Sequence, residues 1–200
     1  MSNVVITGAA RTAVGAFQGG LATLAASDLG AIAISEAITR AGMAPADVDD
    51  VIMGQVLAAG CGQNAARQAA VAAGVPVERT AITINQVCGS GLRSVAMGLQ
   101  AIKAGDSQVV VAGGQESMSL SPHCAHLRNG QKMGGLEFTD TMIKDGLWDA
   151  FNGYHMGNTA ENVAQALPLS REMQDEFAAA SQAKAEAAQK AGRFDDEVVA

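Results

Sequence analysis

Short unbroken apolar runs alternate along the chain with longer stretches in which apolar positions recur every three or four residues. The runs at Val4–Ile6, Val51–Met53 with Val56–Leu57, Ala81–Val87 and Val109–Val111 predict strands. The stretches 27–41, 63–73 and 92–104 predict helices, closed by Gly42, Gly74 and Gly105. Ser27 is the expected N-cap of the first, with Asp28 in its opening turn. In the third, Leu92, Val95, Ala96, Leu99 and Ile102 share one helical face, and the helix prediction rests on their spacing. Strands that are apolar throughout, separated by helices, imply an α/β fold with a mostly parallel sheet covered on both faces. The alternation breaks down over 115–157. Helix resumes over 157–167, stops at Pro168 and restarts after Ser170, running to about Ala191 before Gly192. Met173, Phe177, Ala180, Ala183 and Ala187 form the apolar stripe of that last helix, expected in the core. Residues 195–200 read as the beginning of a further strand.

Composition narrows the chemistry. Apolar residues make up 48% of the 200 and charged ones 16%, enough for one sizeable core. The formal charge of −7 excludes a nucleic-acid partner, which needs a basic footprint. An anionic ligand would need positive charge gathered locally, for which Arg128, Lys132 and Lys144 are candidates. Three widely spaced cysteines, at 61, 88 and 124, do not make a disulfide framework and favour a reducing compartment. No charged n-region with an apolar h-region opens the sequence and no run reaches membrane-span length, so a cytoplasmic protein without membrane contact is expected. The glycines at 8, 15, 19 and 20 do not give G-x-G-x-x-G, which removes a dinucleotide site. His123, Cys124 and His126 crowd three potential ligands into four residues without a second pair nearby, so no metal site is expected.

One position carries nucleophile chemistry. The run Ala81–Val87 ends in Cys88, and Gly89 and Gly91 are expected to let the backbone turn before the helix begins. A thiol at a helix start meets unpaired N–H groups and the positive end of the dipole, which favour the thiolate. The arrangement is the cysteine counterpart of a nucleophile elbow, in which a tight turn after a strand presents the reactive atom. A buried structural cysteine is the competing reading from spacing alone.

The run Asn85-Gln86-Val87-Cys88-Gly89-Ser90-Gly91-Leu92-Arg93 resembles the acyl-enzyme signature of the thiolases. Arg11–Phe17, Gly62–Ala70, Ala112–Ser119 and His155–Ala164 are similar to further thiolase segments in the same order, so the likeness runs nearly end to end. It points to the biosynthetic branch. The resemblance implies a βαβαβ half of a five-layered αβαβα fold, with an N-terminal core over 1–116, a loop region over 117–157 for substrate channel and oligomer contacts, and return helices over 158–200 ending before their last strand. It implies an acyltransferase that reversibly condenses two acetyl-CoA molecules to acetoacetyl-CoA and CoA through an acyl-Cys88 intermediate. Cys88 would be the nucleophile, and its N–H, oriented by Gly89, a donor to the oxyanion. Leu147, His155 and Met156 would contact the acyl-CoA. Coenzyme A thioesters would be substrates, with no cofactor, and the protein a homo-oligomer, dimer or tetramer. The family's Asn-Glu-Ala-Phe and Gly-His-Pro segments and its second cysteine do not occur here, so condensation would require a C-terminal thiolase half. A degradative 3-ketoacyl-CoA thiolase and a non-catalytic acyl-CoA-binding or assembly module are the alternatives.

Overall fold

The structure is a computed structural model and describes residues 3–199. These residues fall into two compact units, one up to Gly146 together with Val199, the other Leu147–Val198.

In the first unit, α1 (Ala26–Arg40) is followed by a 3₁₀ turn at Pro45–Asp47, β1 (Asp50–Gly54), α2 (Ala65–Ala72), β2 (Thr80–Ile84), α3 (Ser90–Ala104) and β3 (Val110–Gly114). The strands form a parallel sheet in the order β2-β1-β3, with Val51 opposite both Ala81 and Val111. Parallel neighbours require crossovers, and α2 and α3 supply them. Alternation along β1 sends Val51 and Met53 into the cluster formed with Ile34 and Ile38 of α1 and Ala66, Ala69 and Ala70 of α2. Gly54 faces α3 instead, and both sheet faces are covered. Ala65, Ala66, Ala69 and Ala70 of α2 are almost fully buried, so their small side chains let its backbone approach the sheet closely.

Several expected elements come out differently. Val4–Thr7 is not a strand, and Val5 and Ile6 are 70% and 81% exposed. At its end the segment passes close against α1, where a Cβ on Gly8 would lie 2.3 Å from the Ala37 carbonyl. Val56 and Leu57 do not continue β1; their N–H groups turn to the Glu116 carboxylate at 2.8 and 3.1 Å. Ser27 does not cap α1. Ala25 stands at that position, and Asp28 accepts its N–H at 3.1 Å, so the carboxylate does the work expected of the hydroxyl. The apolar face whose spacing predicts α3 is turned largely outward, with Leu92 79% exposed, while Ser90, Ser94 and Gly98 are buried. Small residues pack against the sheet because a Cβ on Gly98 would already press Val110 at 3.1 Å.

After β3 come a 3₁₀ turn at Met118–Leu120, the two-residue antiparallel pair β4 (His123–Cys124) and β5 (Thr139–Asp140), and a π-helical turn at Met142–Leu147. The second unit holds α4 (Met156–Ala166) and α5 (Arg171–Lys190), the latter capped by the Ser170 hydroxyl. The α5 stripe expected in the core is on the surface of this unit, with Met173 and Phe177 at 54% and 78% exposure among the described residues. The strand expected from 195 does not form among the described residues, where Val199 N–H donates to the Arg11 carbonyl at 2.9 Å; Ala200 lies outside them. No helix among the described residues is long and apolar enough to cross a membrane.

Candidate active site

Cys88 is exposed in the turn between β2 and α3, beyond the carboxyl ends of the parallel strands. The strand stops at Ile84, three residues earlier than its apolar run suggests, because Asn85 closes an Asx turn by accepting the Val87 N–H at 2.8 Å. The sharp corner also falls elsewhere than expected. Gly89 and Gly91 do not take positive φ; Val87 does, at 49°. A β-branched residue there is strained by about 1–3 kcal/mol, held by its surroundings. Those surroundings are hydrogen bonds. Gly89 N–H donates to the Gln86 carbonyl at 3.1 Å, Ser90 N–H to the Val87 carbonyl at 3.1 Å, and Gln86 N–H to the buried Ser90 hydroxyl at 2.8 Å. Among the described residues, no acceptor takes the Cys88 N–H.

The glycines of this region serve close approach instead of conformation. A Cβ on Gly54 would lie 2.5 Å from Ser90 Cβ, and one on Gly114 would touch Gly91 Cα at 3.4 Å. The start of α3 therefore seats directly on the ends of β1 and β3. Ser94 pins it there, its one hydroxyl proton shared between the carbonyls of Gly91 at 2.6 Å and Gly113 at 2.8 Å. Beside it, Gln115 Nε2 donates to Gln55 Oε1 at 2.9 Å, and Gln55 Nε2 to the Leu57 carbonyl at 3.0 Å, which fixes the orientation of both amides. Burial pushes the Glu116 carboxyl above its ordinary range, against the pull of the two N–H groups it accepts.

Leu147, His155 and Met156 belong to the second unit. Trp148 and His155 pair across a small loop whose tip is bound by the Asp149 carboxylate, accepting from Phe151 N–H at 2.8 Å and Asn152 N–H at 3.0 Å. With the Asn152 side-chain amide as the largest influence, these bonds hold Asp149 below the usual carboxylate range. His155 caps α4, its Nδ1 accepting Gly157 N–H at 3.1 Å, which leaves the proton of the neutral ring on Nε2. His155 and Met156 are exposed and Leu147 is half-buried. Thus Cys88 and Gly89 come together in one unit, and His155, Met156 and the neighbourhood of Leu147 in the other. Arg128, Lys132 and Lys144 are exposed, and among the described residues no cluster of three or more His, Cys, Asp or Glu could hold a metal ion.

A family model described as the thiolase N-terminal domain matches residues 4–200. The chain belongs to the thiolase family. Curated relatives named acetyl-CoA acetyltransferase include a Rhizobium meliloti protein, 64% identical over 100% of this chain and 51% of its own length. Others are from Shinella zoogloeoides, 62% identical over 98% of this chain and 50% of its own length, and Cupriavidus necator, 60% identical over 100% and 51%. The chain spans about half the length of the curated relatives it matches. Within the thiolase domain, spacing alone missed Asn85, Val87, Ser90 and Gly54 as parts of the turn. A polar residue two positions before the corner and a glycine ending a strand are the signals that point to them.

Proposed function

We propose that this chain carries the nucleophilic half of an acetyl-CoA C-acetyltransferase, with Cys88 as the acyl acceptor. The observation that supports this most directly is an exposed thiol in a strand-to-helix turn whose own backbone N–H has no acceptor among the described residues. The Cys88 thiolate attacks the thioester carbonyl of acetyl-CoA, and its N–H, held by the turn that includes Gly89, donates to the oxyanion. Collapse breaks the carbon–sulfur bond to CoA, which leaves as thiolate and takes a proton, and acetyl remains on Cys88. A second acetyl-CoA, deprotonated at its α-carbon, attacks this acetyl group; a carbon–carbon bond forms, Cys88 departs and acetoacetyl-CoA is released.

The bases for both proton transfers lie, on this reading, in the remaining half of the relatives' length, so condensation requires that half. Leu147, His155 and Met156 contact the acyl-CoA, with His155 Nε2–H available as a donor. Coenzyme A thioesters serve as substrates and no cofactor takes part. The protein acts as a cytoplasmic homo-oligomer. The names of the relatives favour the acetyl substrate over longer chains.

Incubation of the intact protein with acetyl-CoA, followed by proteolysis and mass spectrometry, is expected to find acetyl on the Cys88 peptide. Cys88→Ser abolishes the adduct and turnover. An unmodified Cys88 peptide in an enzyme that turns over sinks the proposal.

A further inference from the structure

Five consecutive amides, from Gln86 to Ser90, make up the turn that presents Cys88. Those of Gln86, Val87, Gly89 and Ser90 each have an acceptor, and among the described residues that of Cys88 has none. The Cys88 N–H belongs to the same peptide plane as the Val87 carbonyl. A trans peptide is rigid, with N–H and C=O pointing in opposite directions, so whatever fixes that carbonyl fixes the direction of that N–H. The Val87 carbonyl accepts the Ser90 hydroxyl at 2.6 Å as well as the Ser90 N–H at 3.1 Å. The hydroxyl in turn accepts Gln86 N–H at 2.8 Å, so it ties the two ends of the corner together. Ser90 itself cannot drift, being 4% exposed and seated against Gly54.

We propose that Ser90 is a positioning residue whose hydroxyl locks the Val87–Cys88 peptide plane and so keeps the Cys88 N–H preformed as an oxyanion donor. The inference rests on the reading of Cys88 as the acylated nucleophile. It concerns the donor and not the sulfur, and this makes it separable by experiment. Acetylation by acetyl-CoA builds a tetrahedral oxyanion, whereas alkylation by iodoacetamide displaces iodide from carbon and needs no donor to an oxygen.

The test measures both rates at Cys88 in the intact protein, for wild type, Ser90→Ala and Ser94→Ala, each well below its melting temperature. Ser94→Ala removes a neighbouring buried hydroxyl from the same helix without touching the Val87–Cys88 peptide. Ser90→Ala is expected to slow acetylation by about tenfold or more, while alkylation stays within about threefold. Ser94→Ala should leave the ratio of the two rates unchanged. An equal loss of both reactions in Ser90→Ala, no loss of either, or the same split in Ser94→Ala overturns the assignment. Absence of acetylation in the wild type instead refutes the nucleophile reading itself.

Discussion

Replacing Gly54 by Ala tests whether the start of α3 is seated on the end of β1 as tightly as the structure has it. The new Cβ would lie 2.5 Å from Ser90 Cβ, 2.6 Å from Ser90 C and 2.7 Å from Gly91 N. These are roughly 1 Å inside ordinary carbon contact, and two of the three atoms are backbone, so no side-chain rotation relieves them. Two effects compete. Alanine gains about 0.5–1 kcal/mol over glycine in a strand through the entropy of the unfolded chain. Overpacking of this kind costs about 1–3 kcal/mol and wins. The net loss of about 1–2 kcal/mol corresponds to a fall in melting temperature of about 2–8 °C for a chain of this size. Gly20 supplies the control, since its Cβ would meet nothing within 4 Å and its φ is not positive. Calorimetry on the two variants should show Gly54→Ala melting below wild type and Gly20→Ala at or above it. Because the displaced atoms are those of the elbow, Cys88 acetylation falls in Gly54→Ala as well. A Gly54→Ala protein that melts with wild type and acetylates at the wild-type rate would refute the seating argument.

Two carboxylates give pH dependences of opposite sign. Asp49 accepts Gln108 N–H at 2.8 Å, Val109 N–H at 3.0 Å and Arg79 Nη1 at 3.1 Å, bonds that, led by the two N–H groups, hold it below 3.8. Its stabilisation is present above 3.8 and lost as pH falls through its lowered value, so the advantage of wild type over Asp49→Asn in thermal melts shrinks in acid. Glu116 is raised above 4.5 by burial, so its contribution is complete below 4.5 and fades as pH rises through its raised value. The advantage of wild type over Glu116→Gln therefore shrinks toward neutrality; parallel pH trends for the two pairs would contradict these assignments. Asn64 caps α2 from φ of 42°, accepting Arg67 N–H at 3.1 Å and donating to the Ala81 carbonyl at 2.9 Å. Asn64→Ala should cost about 1–2 kcal/mol in chemical denaturation, and Asn64→Gly less, because glycine takes that φ without strain.

Within the site, the position of Cys88 at a strand-to-helix junction was legible from the apolar run, the glycines and the helical spacing that follows. Its internal mechanics were not. The glycine-rich spelling suggested that Gly89 and Gly91 make the bend, but Val87 takes the strained conformation, because Asn85 and Ser90 bond the corner from both sides. On α3 the spacing of Leu92, Val95 and Leu99 marked a helix without saying which face lies against the sheet. Spacing identifies a helical face, whereas the distance to the sheet decides which face fits inward, and here that face carries the small residues Ser90, Ser94 and Gly98.

Local patterning sufficed for the helices and their stops: Gly42, Gly105 and Gly192 end α1, α3 and α5 at positive φ, as a residue without Cβ is suited to do. It sufficed also for the parallel α/β class and for the family. Tertiary structure decided the rest. Strand ends, the outward turn of the α3 stripe and the bond from Asp28 to Ala25 depend on which donors and surfaces arrive from distant parts of the chain. A run of apolar residues states a preference for burial, and only the packed neighbours determine whether a buried place exists for it.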